Sequence, residues 1–298
     1  MVIKTYLDKQ KSLVEEALAR YMLQAEGDFS DHIETLRYSL FAGGKRIRPI
    51  LCLASARMVS ANTETDTSVL PIACALECIH TYSLIHDDLP AMDNDDLRRG
   101  KPTNHAVYGE APAILAGDSL QCFAFDLLSN QDNDRIPAKD RLKIISVISK
   151  AAGPVGMAGG QYLDVVNEGK EISYDLLRTI HRSKTGMLLT ASVIAGGIAG
   201  GATANQLLTM NEYGDAIGLA FQIVDDILNV ESTTEQLGKA AGSDAKRGKA
   251  TYPAFFGIDK SKEMAGEAVA KAIHAITNFG DGAEPLRALA RYIIERKK

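Results

Sequence analysis

Apolar residues recur along this chain at helical spacing almost from end to end. Leu13, Ala17 and Tyr21 form one row four residues apart, and Val14, Leu18 and Met22 form the adjacent row. Two such rows make the wide stripe of a helix that faces a core. Near the C-terminus Val269, Ile273 and Ile276 repeat the geometry, as do Leu286, Leu289 and Ile293. No stretch shows sustained alternation between hairpin turns, so strands are not expected. Polar stretches with turn formers or clustered charges predict loops at 61–67, 130–138, 167–171, 231–249 and 278–284. None is long or biased enough to be a domain linker. The pattern predicts an all-α chain with a single domain over 1–298.

Composition narrows this only slightly. The 298 residues suffice for a large core, and the hydrophobic and charged fractions, 46% and 24%, are ordinary for a soluble globular protein. The net charge of -5 draws the chain neither to nucleic acid nor to anionic lipid. The N-terminus carries no apolar signal core, and cytoplasm is the expected location. Residues 185–211 are uncharged, but they are dense in glycine and carry Thr, Ser, Asn and Gln. A helix buried inside a soluble bundle fits them better than a membrane span. Cys52, Cys74, Cys78 and Cys122 have no CxxC spacing, and Cys74 and Cys78 read as small buried hydrophobes.

The chemistry sits in two acidic clusters that resemble each other. Ser83-Leu-Ile-His-Asp87-Asp88 and Phe221-Gln-Ile-Val-Asp225-Asp226 each end an apolar helical run on paired carboxylates. Such pairs repel and lose hydration, and a divalent cation relieves both penalties; magnesium prefers hard oxygen ligands shared with substrate phosphates. Asp87, Asp88 and Asp93 follow DDxxxxD, and Pro90 should break the helix so that Asp93 curls back towards Asp87. Asp225 and Asn229 are four apart on one face, with Asp226 beside them. His86 next to Asp87 lacks any HExxH or Cys/His spacing, so zinc is not expected.

Cations lie close by: Lys45, Arg46 and Arg48 in a glycine-led turn, Arg98, Arg99 and Lys101 after the first cluster, and Lys246, Arg247 and Lys249 after the second. Arginine grips a diphosphate with paired hydrogen bonds and lysine supplies a point charge. Beside carboxylates and without interleaved aromatics, these clusters make a poor nucleic-acid footprint. Together the patterns imply a site for two diphosphates, one bridged by magnesium and the other held directly by Lys and Arg. No nucleophile elbow is present.

These segments resemble the short-chain trans-prenyl diphosphate synthases, within them the bacterial type of farnesyl diphosphate synthase. The resemblance is carried by GGKRIRP at 43–49, ECIHTYSLIHDDLPAMDNDDLRRGKPTNH at 77–105, GMAGGQYLD at 156–164, HRSKTGML at 181–188, FQIVDDILNV at 221–230 and LGKAAGSD…KATYP ending at Pro253. It implies the isoprenoid synthase fold, a bundle of long helices around a deep central cavity, paired as a homodimer. It also implies about three magnesium ions per active site, the metal being shared with substrate phosphates. Carried over, Asp87, Asp88 and Asp93 would bind magnesium on the allylic diphosphate, and Asp225 a further ion, with Asp226 supporting its water. Arg98, Lys184, Lys239 and Lys249 would contact the allylic diphosphate. Gly44, Lys45, Arg48, His80 and Arg99 would hold isopentenyl diphosphate, while Lys184, Thr185 and Gln222 would face the allylic cation. Tyr82, five residues before Asp87, looks like the farnesyl-producing floor beneath the growing chain. One position departs from the family pattern: its second motif is DDxxD, and Asn229 holds the last place here. A terpene cyclase and a non-catalytic partner subunit are the rivals; Lys45, Arg48 and His80 argue against the first, and the intact Asp87–Asp93 motif argues against the second.

Overall fold

The computed structural model describes residues 1–60, 65–129, 135–231 and 249–296. Its helices are α1 (Ile3–Tyr21), α2 (Ser30–Leu40), α3 (Ile47–Val59), α4 (Thr65–Asp87), α5 (Asn104–Tyr108), α6 (Glu110–Ser129), α7 (Ala138–Ala152), α8 (Met157–Val166), α9 (Tyr174–His181), α10 (Met187–Ala199), α11 (Ala204–Glu231), α12 (Tyr252–Phe256), α13 (Ile258–Ala275) and α14 (Glu284–Glu295). The predicted stripes are the buried faces. Val14, Ala17 and Leu18 of α1 and Met22 just after it are buried, as are Val269, Ile276, Leu286, Leu289 and Ile293 near the end.

Two apolar cores build the bundle. One gathers α1, α2, α4, α6 and α7, the other α11, α13 and α14, and α3 and α10 run between them and contribute to both. The uncharged stretch holds α10 against α3, and its glycines explain the closeness. A Cβ at Gly196 would lie 2.1 Å from the carbonyl oxygen of Cys52, and one at Gly200 would lie 2.7 Å from that of Ala56. That helix is core, as expected. By length and apolarity α4 and α6 match membrane spans; α4 is mostly buried in the bundle, whereas α6 is covered over less than half.

Three expectations change. Residues 65–67, assigned to a loop, begin α4, and 277–283 form a tight 3₁₀ segment. A short antiparallel ribbon also exists, β1 (Leu97–Arg98) with β2 (Lys101–Pro102), where no strand was expected. Arg99 and Gly100 both take positive φ, 55° and 76°, which is the demand of a two-residue primed turn. Strands this short leave no alternation to detect. Residues 61–64, 130–134, 232–248 and 297–298 lie outside the described residues, and with them Lys239, Lys246 and Arg247.

Candidate active site

A cavity of about 740 Å³ opens between the end of α4, the β1–β2 ribbon, α8, α11 and the segment before α12. The break at Pro90 works as the sequence suggests. Helix α4 stops at Asp87, and the N–H of Asp93 donates to the carbonyl of Asp87 at 2.8 Å. Asp87 and Asp93 therefore both reach the cavity wall.

Asp88, also expected on the metal, does not line the cavity beside them. It is buried and turned to the ribbon, where the fork of Arg98 grips both its oxygens: Nε lies 2.7 and 2.8 Å away and Nη2 2.5 Å. Asp88 follows the last residue of α4, and with successive side chains about 100° apart Asp87 faces the cavity while Asp88 faces the ribbon. Asp88 positions Arg98, which itself lines the cavity.

Across the cavity, glycine contacts set the phase of the other helices. One turn between α9 and α10, Arg182–Gly186, widens to π geometry, a distortion frequent at functional sites. A Cβ at Gly160 would lie 2.2 Å from the backbone nitrogen of Lys184, and one at Gly218 would lie 2.8 Å from the Cα of Gly186. One turn beyond Gly160, Asp164 accepts from Lys184 Nζ at 2.7 Å and from Lys249 Nζ at 3.2 Å. Lys249 also reaches Asp93 at 3.4 Å. One turn beyond Gly218, Gln222 donates to Asp226 at 2.9 Å, and the buried Asp226 also accepts from the N–H of Tyr252 at 2.9 Å. Asp226 thus ties α11 to α12. Asp225 is more open and pairs with Arg296 at 2.5 Å. Asn229 is buried and lines the same wall.

The other end is a cationic pocket of Lys45, Arg48, His80 and Arg99. Of the three cations in the glycine-led turn, Arg46 points away. It is 2% exposed, in the left-handed region, and bonded to Glu15 at 2.8 Å, Glu77 at 2.6 Å and the Leu40 carbonyl at 2.6 Å. This inward anchor aims Lys45 and Arg48 at the cavity. Gly44 does not line it but makes room for it. At φ 131°, a Cβ there would lie 2.7 Å from Arg99 Cζ, and the Arg99 guanidinium donates to the Gly43 carbonyl.

Charge in the cavity follows burial. Burial pushes Asp87 up to about 6, with Asp93 and Asp88 adding and Lys184 and Arg98 opposing. Burial also raises Asp164, but Lys184 and Lys249 prevail and hold it below the usual carboxylate range. Burial, then Arg48 and Arg99, drives His80 well below its ordinary value, so it is neutral. Burial brings Arg48 down to about 10, still a cation at neutral pH.

Asp164, Gln161, His181 and Arg296 also line the cavity and went unassigned in the sequence. Gln161 is buried with neither amide atom paired. Asp164 stands in the quoted segment at 156–164, four residues after Gly160, but nothing local announces its lysine partners.

The donor set suits magnesium. Among the described residues no cluster of three His, Cys, Asp or Glu forms a ready cage. Magnesium is held by one or two carboxylates together with substrate phosphates, which is what Asp87 with Asp93, and Asp225 opposite, offer. Lys249 and Arg296 now supply positive charge to two of those carboxylates.

An all-helical bundle with facing carboxylates and a separate cationic pocket defines a class that handles paired anionic groups. Comparison with known proteins places it. Residues 31–284 match the polyprenyl synthetase family. The chain is 51% identical to a farnesyl diphosphate synthase of Geobacillus stearothermophilus, over 88% of this chain and 86% of that one. It is 46% identical to a geranylgeranyl diphosphate synthase of Cyanophora paradoxa, over 98% and 96%. A solved geranyltransferase from Helicobacter pylori, complexed with magnesium and isoprenyl diphosphate, superposes with a TM-score of 0.88 at 30% identity, covering 99% of both chains. The chain belongs to the polyprenyl synthetase family.

Proposed function

We propose that the chain joins dimethylallyl and then geranyl diphosphate to isopentenyl diphosphate, head to tail, and releases mainly farnesyl diphosphate. One observation carries this reading: two anion sites of different chemistry meet in one cavity. Carboxylates with Lys184, Lys249 and Arg98 stand on one side, and Lys45, Arg48 and Arg99 with neutral His80 on the other. A single-substrate cyclase has no use for the second.

Asp87, Asp93 and Asp225 would hold magnesium, which neutralises charge on a departing diphosphate. Lys184, Lys249 and Arg98 orient the allylic diphosphate so that the C–O bond breaks with its electron pair leaving on oxygen. Asp226 accepts from Gln222 Nε2, so the amide oxygen of Gln222 is the end left to face the allylic cation. The alkene of isopentenyl diphosphate attacks that cation, and the released diphosphate takes the proton lost from the adduct. Walls such as Met92, Met157 and Phe221 keep water from quenching it.

Tyr82 is buried and lines the cavity one turn below His86, which supports its reading as the floor beneath the growing chain. The uncovered face of α6, with Ile114 43% and Leu115 56% exposed, supports a homodimer, and cytoplasm remains the proposed location. The test is purified protein with dimethylallyl, geranyl or farnesyl diphosphate, each with isopentenyl diphosphate and magnesium. The first two should be substrates, and the product should carry fifteen carbons. Turnover of farnesyl diphosphate to twenty carbons would favour a geranylgeranyl synthase, and no dependence on isopentenyl diphosphate would overturn condensation.

A further inference from the structure

Helices α4 and α6 touch at a point that the reaction scheme leaves unused. A Cβ on Gly117 would lie 2.1 Å from His86 Nε2 and 2.5 Å from its Cδ2. The imidazole therefore lies directly on the α6 backbone, in volume that any other residue at 117 would claim. Glycine inside a helix is less favourable than alanine, so this notch is a local sacrifice offset by what it admits. The ring is also tethered. Its Nε2 stands 3.0 Å from the Ile114 carbonyl, and since a carbonyl only accepts, Nε2 carries the proton. The Asp118 carboxylate lies 3.9 Å from the same nitrogen. On its other side the imidazole meets Tyr82, one turn earlier on α4, with centroids 5.7 Å apart and planes at 77°. Both rings line the cavity.

We propose that His86, seated in the Gly117 notch, is a positioning residue that braces Tyr82 and thereby sets how long a prenyl chain the cavity accepts. This rests on the reading of Tyr82 as the floor. The physical reason is that an aromatic ring on a helix has more than one staggered position. A floor of one ring holds a chain length only if that ring is held, and here the neighbour that touches it is itself pinned to a second helix. Edge-on ring contacts contribute a modest but directional stabilisation.

The two members of the brace fail in opposite directions. His86→Ala removes the support, so Tyr82 yields to a longer chain. The ratio of twenty- to fifteen-carbon product should rise about fivefold, the scale of one lost ring contact, with the magnesium requirement and the KM for isopentenyl diphosphate unchanged. Gly117→Ala evicts the imidazole towards the cavity, so ten-carbon product should accumulate at the expense of fifteen. Combining the two removes the clash, and the double variant should behave as His86→Ala does; it also keeps the test alive if Gly117→Ala alone fails to fold. Tyr82→Ala runs beside them. If Tyr82→Ala lengthens product and His86→Ala leaves the distribution unchanged, the floor stands and the brace is overturned. If neither lengthens product, both readings fall. If His86→Ala lengthens product but Tyr82→Ala does not, bracing through Tyr82 is overturned, and so it is if His86→Ala moves only the magnesium requirement.

Discussion

The N–H of Asp93 donates to the carbonyl of Asp87 over 2.8 Å, and this backbone bond returns the second carboxylate of the motif to the first. Its neighbour Asp88 points away from that pairing and is held by Arg98. Adjacent residues of one motif thus carry separate duties.

Those duties separate by substitution. Asp87→Ala should lower turnover at least about 100-fold, the scale of losing a preorganised electrostatic contact. Asp88→Asn should instead raise the KM for the allylic diphosphate, because Arg98 loses its bidentate partner. Titrations of rate against magnesium check this. An equal rise in magnesium requirement for Asp88→Asn would return Asp88 to the metal.

The raised Asp87 carboxyl has a signed consequence for stability. Below about pH 4 it is protonated whether the chain is folded or not, and contributes nothing. Between about 4 and 6 the unfolded chain ionises it while the folded protein, where it titrates near 6, keeps the proton. Stability is lost as pH rises through that window and the loss is complete above it. Without metal, Asp87→Asn should therefore gain Tm over the native protein as pH rises from 4 to 6, then hold a constant lead. Protons also compete with metal there, so the native magnesium requirement should climb below pH 6. A Tm difference that ignores pH would show that burial does not perturb this group.

Asn229 tests how the second cluster works. It is buried beside Asp225 and Asp226, so Asn229→Asp adds a charge where charge is costly. The variant should melt lower without magnesium and should need less magnesium for half-maximal rate, because a carboxylate is the better hard ligand. A lowered Tm without any gain in metal affinity would place residue 229 outside the metal's reach.

Much of this site was legible because its signals are local. The helix stripes, the break at Pro90 and the return of Asp93 are all written within one or two turns. What stayed hidden depends on distant partners. Asp164 meets lysines 20 and 85 residues away, and no spacing rule links them. Arg46 looks like its neighbours Lys45 and Arg48 until its left-handed backbone turns it into the core. The ribbon holding Arg98 and Arg99 is two residues per strand, too short for a pattern. Gly160 and Gly218 could have hinted at the site, since each stands one turn before a functional side chain, but a glycine in a helix reads first as a weak position.

Arg296 brings the end of the described chain into the same cavity, and its position predicts a competition. Its side chain is 4% exposed, its Nη2 lies 2.5 Å from Asp225 and 3.2 Å from the Phe221 carbonyl, and its guanidinium carbon sits 4.2 Å from the Phe221 ring centroid. Stacking and enclosure make this pair worth more than an exposed ion pair. Asp225 is also the proposed ligand for metal on that wall, and a cation of either kind satisfies the same oxygen. Arg296→Ala should therefore have two effects of opposite sense. Without magnesium the Tm should fall, because the stacked guanidinium and its partner are lost together. Less magnesium should be needed for half-maximal rate, because the resident competitor is gone, and the Tm deficit should shrink as magnesium takes over the charge on Asp225. Arg296→Lys keeps a point charge without the planar stack, so it should retain more of the competition than of the stability. A higher magnesium requirement in Arg296→Ala would mean that the arginine assists metal binding, and the competition would be refuted.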